Sequence, residues 1–225
     1  IRQAWDVALQ QRDWSALHEL KEGLTLLLSV QDKVREGEAL FQKLLKASTL
    51  FLKQGQIAVD AQKDIDTLQT FVLVRRGEWL RTLGRIEEAR ECFEQLCARQ
   101  QYDLSDLVCF HANQYLGTIA MLQGDFQQAL LKFSECIEAE KAIQLNDLQK
   151  AFLHMSYGSA LLASGEHKQA EERFWYSHRL YEQRSSELGK AHCYRFLGRL
   201  RFTEGKYQEA QDFYQQGLQI FQERN

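Results

Sequence analysis

The chain contains no proline in 225 residues, although an average usage of about 5% would give roughly eleven. Because proline breaks helices and stiffens linkers, its absence argues against Pro-rich and collagen-like segments and favours long helices. A strong charge of one sign is also missing, since the formal net charge is −3 at pH 7. No apolar run approaches the roughly 18 residues that suggest a bilayer span. We therefore expect no direct nucleic-acid binding and no membrane association.

The cysteines do not form a recognisable framework. There are five of them, an odd number, and none occurs in a CxxC pair, so neither a disulfide scaffold nor a zinc ribbon is expected. Free buried thiols are typical of a reducing compartment, which predicts a cytoplasmic protein. The sequence begins with isoleucine rather than methionine, so we expect it to be part of a longer protein.

The glycines reveal an internal repeat. Eight of the thirteen form four pairs whose members are seven residues apart, and the first members of the pairs are 40, 41 and 40 residues apart. An alanine follows each first glycine after twelve residues and an aromatic residue after sixteen. These repeat positions are Gly77, Gly84, Ala89 and Phe93; Gly117, Gly124, Ala129 and Phe133; Gly158, Gly165, Ala170 and Phe174; and Gly198, Gly205, Ala210 and Tyr214.

The spacing predicts a helix, a tight turn and a second helix in each repeat. The first glycine lies inside a helix, where it costs about 1 kcal/mol relative to alanine, so close packing is its expected compensation. The second glycine is expected to adopt a positive φ at the helix end. The alanine marks a second close approach, and the aromatic residue one turn later is expected to fill the space between neighbouring hairpins.

These residues resemble the tetratricopeptide repeat, whose pattern is seen in Leu116-Gly117, Gly124-Asp125-Phe126, Ala129 and Phe133. The resemblance implies an all-α, right-handed superhelical solenoid of antiparallel helix pairs, with about five to six repeats. Two features depart from the family pattern: the period is about 40 rather than 34 residues, and the closing proline is missing. Both departures predict helices longer than those of the standard repeat.

The domain organisation follows from how regular the repeats are. Residues 1–69 are expected to form divergent repeats and residues 70–225 regular ones, in a single solenoid of eleven helices. In the divergent part, Thr25, Asp32, Gly37 and Phe41 take the four repeat positions. About twelve extra residues are expected around 53–64, and Asp13 is expected to cap a helix that runs from Trp14 to about Leu28.

Motifs of enzymes are missing. The sequence has no GxxxxGK[ST], GxGxxG, GxSxG or HExxH pattern, each of which would point to phosphate binding, nucleophilic catalysis or zinc. Paired acids such as Glu87-Glu88 fall early in the second helices, where they complement the helix dipole. The sequence therefore predicts no catalytic residues, no metal site and no cofactor, and it predicts that the protein is not an enzyme.

The family resemblance implies a concave groove lined by the first helix of each repeat, which takes a protein or peptide partner. The positions that match lie six and three residues before the first glycine, and one and four residues after it. They are Phe71, Val74, Glu78 and Arg81; His111, Gln114, Thr118 and Met121; Phe152, Met155, Ser159 and Leu162; and His192, Arg195, Arg199 and Phe202.

These positions have a competing interpretation. Phe152 and Leu162 also suit ordinary packing between repeats, and Arg195 and Arg199 also suit a solvated helix face. On the binding interpretation, the ligand has an acidic or carboxylate-bearing end near the two arginines. The last helix keeps apolar residues where a terminal repeat is normally polar. This exposed apolar face predicts further repeats or self-association through the uncapped C-terminal helix.

A second resemblance concerns the amino-terminal residues. The segments Ile1-Arg-Gln-Ala-Trp-Asp-Val-Ala-Leu and Asp13-Trp14 look like the helical region that follows the nucleotide-binding domain in bacterial signal-transducing (STAND-type) ATPases related to the maltose-operon activator. This resemblance implies a sensing region of a signalling or transcription regulator, partnered with an upstream ATPase domain of the same polypeptide. The alternative is a free-standing scaffold or a peptide-pheromone receptor.

Overall fold

The computed structural model describes residues 1–54, 57–99 and 106–223, and these residues form eleven α-helices and no strand. The prediction of an all-α fold with eleven helices is confirmed. The helices are α1 (Arg2–Gln11), α2 (Trp14–Val30), α3 (Val34–Leu52), α4 (Val59–Thr82), α5 (Ile86–Ala98), α6 (Asp106–Gln123), α7 (Phe126–Ala139), α8 (Asp147–Ala163), α9 (His167–Gln183), α10 (Glu187–Thr203) and α11 (Tyr207–Gln222).

The chain divides into two compact units, Ile1–Leu104 and Ser105–Asn225, which are described separately. Unit 1 holds α1–α5, where α4 pairs with α5 and also packs against α2 and α3. Unit 2 holds three hairpins, α6–α7, α8–α9 and α10–α11, and α7 packs on α8 as α9 packs on α10. Within unit 2 the hairpins therefore stack in chain order, as expected of helical repeats.

The second glycine of each pair makes the turn between two helices. Gly84, Gly124, Gly165 and Gly205 have φ values of 75°, 78°, 84° and 76°. This left-handed region costs other residues about 1–2 kcal/mol, whereas glycine adopts it freely. Asp32, which takes the same repeat position in the divergent part, also has a positive φ of 53°.

The first glycine of each pair makes room for an aromatic ring of the same hairpin. A Cβ added to Gly77 would lie 2.6 Å from the Phe93 ring, and one added to Gly158 would lie 2.7 Å from the Phe174 ring. The sequence analysis predicts that the aromatic residue fills the space between neighbouring hairpins. In the structure the ring also packs against the glycine of its own hairpin. Phe174, for example, contacts Gly158 and stacks on Phe196 of α10, with ring centroids 5.3 Å apart.

The amino-terminal helices use the same close approach with different residues. A Cβ on Gly37 of α3 would lie 2.5 Å from the Trp79 indole of α4, and Trp79 stacks on Phe41 with centroids 5.0 Å apart. Asp13 caps α2 by accepting a hydrogen bond from the Ala16 amide at 3.0 Å. The extra length lies partly in the 24-residue helix α4; Gly55 and Gln56, where the sequence centres it, lie outside the described residues.

A buried carboxylate ties three helices of unit 1 together. Glu38 of α3 is only 6% exposed. It accepts hydrogen bonds from Arg76 Nε of α4 at 2.9 Å and from Arg85 Nη1, at the start of α5, at 3.1 Å. A buried charge is tolerated only when it is paired and hydrogen-bonded, so these contacts fix α3 against the α4–α5 hairpin.

A buried histidine joins three helices of unit 2. His154 of α8 lies 3.1 Å from Glu140 Oε2 through its Nε2 and 3.3 Å from Arg173 Nη1 through its Nδ1. Because the guanidinium can only donate, Nδ1 accepts and Nε2 carries the proton, which it donates to Glu140. Burial lowers the imidazole pKa, as do the charges of Arg173 and Lys150, against the opposing effect of Glu140. The hydrogen bonds and the burial of His154 therefore favour the neutral form of its imidazole ring.

The glycine–ring contact predicts unequal effects of one substitution at two equivalent positions. Gly158→Ala should lower the free energy of unfolding by about 1–3 kcal/mol, since the methyl group would overlap Phe174, which is fully buried and cannot move aside. Gly198→Ala should change it by less than about 1 kcal/mol, because Tyr214 is 41% exposed and can swing away while alanine improves helix propensity. Denaturant unfolding measures both; equal losses would contradict this account.

The buried histidine predicts a loss of stability in acid. Its pKa in the folded chain is lowered from the unfolded value of about 6.5, so the unfolded chain binds protons first as the pH falls. The free energy of unfolding should therefore decrease from about pH 7 downward. His154→Gln should remove part of this slope, so that its stability deficit at pH 8 shrinks at pH 5.5. Parallel stability curves for the two proteins would rule the explanation out.

Candidate functional site

Unit 2 contains a cavity of about 560 Å³ between the first helices of its three hairpins. Two turns of α6, the middle of α8 and the first three turns of α10 line most of it. The lining residues are Thr118, Met121, Phe133, Phe152, Met155, Ser156, Ser159, Tyr181, Ser186, Leu188, Gly189, His192, Arg195 and Phe196. Apolar side chains dominate the wall, and hydroxyl groups and one guanidinium interrupt it.

Seven residues that the sequence predicts as groove-lining meet at this cavity. They are Thr118, Met121, Phe152, Met155, Ser159, His192 and Arg195. Their spacing explains the convergence, since residues three and four apart share one helix face, and the stacked hairpins set three such faces side by side. Phe152 is 45% exposed, so it lines the cavity rather than filling the space between repeats.

The remaining candidates of unit 2 lie elsewhere. Gln114 is 7% exposed and Leu162 is 6% exposed, and Leu162 belongs to the apolar cluster that includes Leu197 and Leu200 of α10. His111 contacts the Phe110 ring edge to face, and neither it nor Arg199 is among the lining residues. Phe202 belongs to a different surface, at the end of α10.

The four candidates of unit 1 are half-buried along α4. The Phe71 ring lies between two cations, with Lys21 Nζ 5.6 Å and the Arg75 guanidinium 5.7 Å from its centroid. Glu78 accepts a hydrogen bond from Arg75 at 2.8 Å. Val74 and Arg81 lie on the same helix. Whether these residues contact a ligand stays a prediction.

Among the described residues that line the cavity, Arg195 is the one with a formal charge at neutral pH. Its guanidinium lies 4.3 Å from the centroid of the Phe196 ring. Among the described residues no carboxylate pairs with it. Burial and the charge of Arg195 both lower the pKa of His192, so that imidazole is neutral at pH 7. The site is therefore apolar with one unpaired positive group.

Tyr181 and Gly189 line the cavity and contact each other, and the repeat pattern predicts neither of them as a groove residue. Tyr181 belongs to α9, a second helix, yet it reaches the cavity between α8 and α10. An added Cβ on Gly189 of α10 would overlap the Tyr181 ring, so glycine is required there. In the sequence, Gly189 is one of five glycines outside the four pairs, so its position alone does not indicate the contact with Tyr181.

A second apolar surface lies on the last hairpin. A hollow of about 430 Å³ is lined by Phe202, Tyr207, Ala210, Gln211, Tyr214, Gln215 and Leu218. Tyr214 takes the repeat position of Phe174, which α10 covers, yet it is 41% exposed. This surface lies on α10 and α11, the last two helices described, and self-association through it stays a prediction.

Two further features bear on the class of site. In the described ranges, no helix is both long enough and apolar enough to cross a membrane. Over the same residues, no three histidine, cysteine or acidic side chains are grouped closely enough to hold a metal ion.

Comparison with solved structures identifies the architecture. The chain is similar to BtubC from P. vanneervenii, with 16% identity, a TM-score of 0.73 and coverage of 100% of this chain and 89% of that one. It is similar to MamA from Desulfovibrio magneticus, with 12% identity, a TM-score of 0.63 and coverage of 93% and 97%. It also resembles the TPR-like repeats of a Podosopora anserina chain named as a kinesin light chain, with 17% identity, a TM-score of 0.65 and coverage of 93% and 98%.

Comparison of the sequence identifies the repeats. None of the curated proteins compared with the chain matches it. Two family models described as Tetratricopeptide repeat match residues 72–103 and 149–223, which hold three of the four glycine pairs. The glycine turns, the ring under each first glycine and the stacked hairpins agree with these matches and with the solved solenoids. The chain therefore contains tetratricopeptide repeats over residues 72–103 and 149–223.

Proposed function

We propose that the chain is a partner-binding module and that the cavity of unit 2 takes an apolar peptide segment carrying an acidic group. The observation that supports this is the convergence of predicted groove residues from α6, α8 and α10 on one cavity. Tetratricopeptide repeats serve in general as protein-interaction modules. The proposal assigns that role to one surface of this chain.

The chemistry of the wall suits a peptide. A volume of about 560 Å³ lies in the usual range for ligand sites, which are apolar with a few polar groups that fix orientation. Met121 and Met155 supply flexible, polarizable side chains that adapt to different apolar shapes. Thr118, Ser156 and Ser159 add hydroxyl groups that can bond to peptide amides.

Charge supports an acidic ligand. Arg195 and Arg199 lie one turn apart on α10, both are exposed, and neither has a carboxylate partner among the described residues. Of the other four arginines that the structure describes in unit 2, two form ion pairs with carboxylates: Arg184 with Asp147 at 2.8 Å and Arg201 with Glu204 at 2.9 Å. An acidic group of the ligand would supply the missing partner at the cavity edge.

The wider role is the sensing region of a larger bacterial signalling or transcription regulator with an upstream ATPase domain. The likeness of the amino-terminal segments to STAND-type regulators supports it. A free-standing scaffold or a peptide-pheromone receptor would use the same cavity. The complete open reading frame distinguishes these roles, since only the regulator requires a nucleotide-binding domain encoded upstream.

Site-specific photocrosslinking tests the binding surface. A benzoylphenylalanine at position 152, inside the cavity, should yield a partner adduct in native lysate. The same probe at position 175 is the matched control, because Trp175 is also a partly exposed aromatic residue (37%) but does not line the cavity. Adducts of equal yield from both positions, or none from position 152, would contradict the proposal.

Charge reversal tests the acidic ligand. Arg195→Glu with Arg199→Glu should reduce the yield of the position-152 adduct more than about tenfold, because a like charge replaces each cation. Lys43→Glu with Lys46→Glu changes the net charge equally on exposed positions of α3 in unit 1 and should leave the yield unchanged. If the arginine variant crosslinks as well as the wild type, the acidic group is not part of the ligand.

A further inference from the structure

His192 is a titratable residue in the wall of the cavity, and one nitrogen of its ring has no partner. It lies on α10, three residues before Arg195, and both side chains line the cavity. The Nδ1 atom is buried and forms no hydrogen bond with any residue that the structure describes. The ring contacts Phe221 of α11 edge to face, with centroids 5.7 Å apart. The surroundings of this imidazole therefore leave its protonation open to a bound group.

The charges around His192 favour a neutral ring in the free protein. On its own helix it faces the cation Arg195. The residues of α6, α7 and α8 that line the cavity are uncharged. From α9 comes Tyr181, whose phenol stays neutral because burial raises its pKa to about 12. Burial lowers the pKa of His192, and of the charges that the structure describes only that of Arg195 adds to the shift.

The acidic residues closest in the chain are engaged elsewhere. Glu187, in the first turn of α10, pairs with Lys190 at 2.9 Å. Glu223, just after α11, is exposed and accepts a hydrogen bond from Gln219 at 2.8 Å. A protonated His192 would therefore meet a like charge without a counter-ion.

We propose that His192 takes up a proton when an acidic group of the ligand binds beside Arg195, so that binding strengthens as the pH falls from about 8 to 6. This inference rests on the proposed function of the cavity and adds regulation by pH to it. Side chains three residues apart on a helix have Cβ atoms about 5–6 Å apart, so one acidic group can contact both residues. The anion would give the imidazolium a counter-charge and a hydrogen-bond acceptor.

The direction of the effect follows from linkage. Proton uptake and anion binding strengthen each other by the same factor. An anion beside His192 raises its pKa, so the gain in affinity is absent well above the pKa of the bound state. The gain is complete below the pKa of the free state, which burial and Arg195 hold under the ordinary value of about 6.5. A ligand that raises this pKa by about one gains roughly tenfold in affinity.

Two peptides that differ in one side chain test the proposal on the full chain. They have the form acetyl-Ser-Leu-Xaa-Leu-Ser-amide, where Xaa is homocysteic acid in one and glutamine in the other. The sulfonate of homocysteic acid keeps its charge at both pH values, so a pH dependence of binding comes from the protein. Met121 and Met155 are the only methionines, and both line the cavity. Their ¹³C-labelled methyl signals in an NMR spectrum therefore report binding, at a temperature well below the unfolding midpoint.

We expect the sulfonate peptide to bind the wild type about three- to tenfold more tightly at pH 6 than at pH 8. The Cε1 signal of His192 should titrate at a higher pH with this peptide than without it. The glutamine peptide should show no such gain, because it brings no anion.

Two histidine variants separate His192 from other titrating groups. His192→Gln keeps a polar side chain that does not titrate, so it should bind the sulfonate peptide equally at both pH values. His167→Gln is the matched control, because His167 is also a half-buried histidine of unit 2 but does not line the cavity. It should keep the pH dependence of the wild type.

The outcomes distinguish this inference from the proposed function. If the wild type binds the sulfonate peptide equally at pH 8 and pH 6, or if His192→Gln keeps the gain, the inference is wrong. The proposed function stands in that case when Arg195→Met weakens binding of the same peptide. If neither peptide shifts the methyl signals up to millimolar concentration at either pH, the proposed function fails and the inference fails with it.

Discussion

The contact between a glycine in one helix and an aromatic ring in the next sets the geometry of the repeats. It lets the two helices of a hairpin approach more closely than any side chain at the glycine would allow, since a Cβ at Gly77 or Gly158 would lie within 2.7 Å of a ring. The same ring can also contact the following hairpin, as Phe174 does when it stacks on Phe196. One aromatic side chain therefore sets both the short distance between the two helices of a hairpin and the stacking of that hairpin on the next. The resulting arrangement of hairpins determines which helix faces remain available for binding.

The cavity of unit 2 is a product of that stacking, with one added departure. Three first helices set side by side expose faces rich in methionine, serine and phenylalanine, and Arg195 adds a positive charge to this apolar wall. At Gly189 the regular scheme is reversed: the glycine belongs to the later hairpin and its ring, Tyr181, to the earlier one. The contact between a glycine and an aromatic ring, which elsewhere joins the two helices of one hairpin, here joins two neighbouring hairpins. It places Tyr181 at the wall of the cavity.

Much of the architecture could be predicted from the sequence, because its constraints act at fixed short spacings. The turn glycines, the ring positions, the cap at Asp13 and the number of helices follow from local patterns. Much of the cavity wall could be predicted too, since Met121, Met155 and Arg195 share columns of the repeat. Which members of a column remain accessible depends on the neighbouring hairpin, so Leu162 is buried in the core while Phe152 is open. Tyr181 could not be predicted, because its role arises in one repeat only and depends on a partner in another helix. The division into two units has no marker in composition either.

Gly189 also bears on how the repeats could be redesigned. The residues at its position in the other regular repeats are Leu68, Val108 and Gln149, so an averaged, consensus sequence would place a larger side chain there. Such a sequence would keep every turn glycine and every closing ring, and by the usual experience with consensus repeats it would make a regular array. The Tyr181 ring would lose its place beneath α10, and the floor of the cavity would change. The cavity of this chain therefore depends on a position at which one repeat has a different residue from the others, and a consensus sequence would lose that residue.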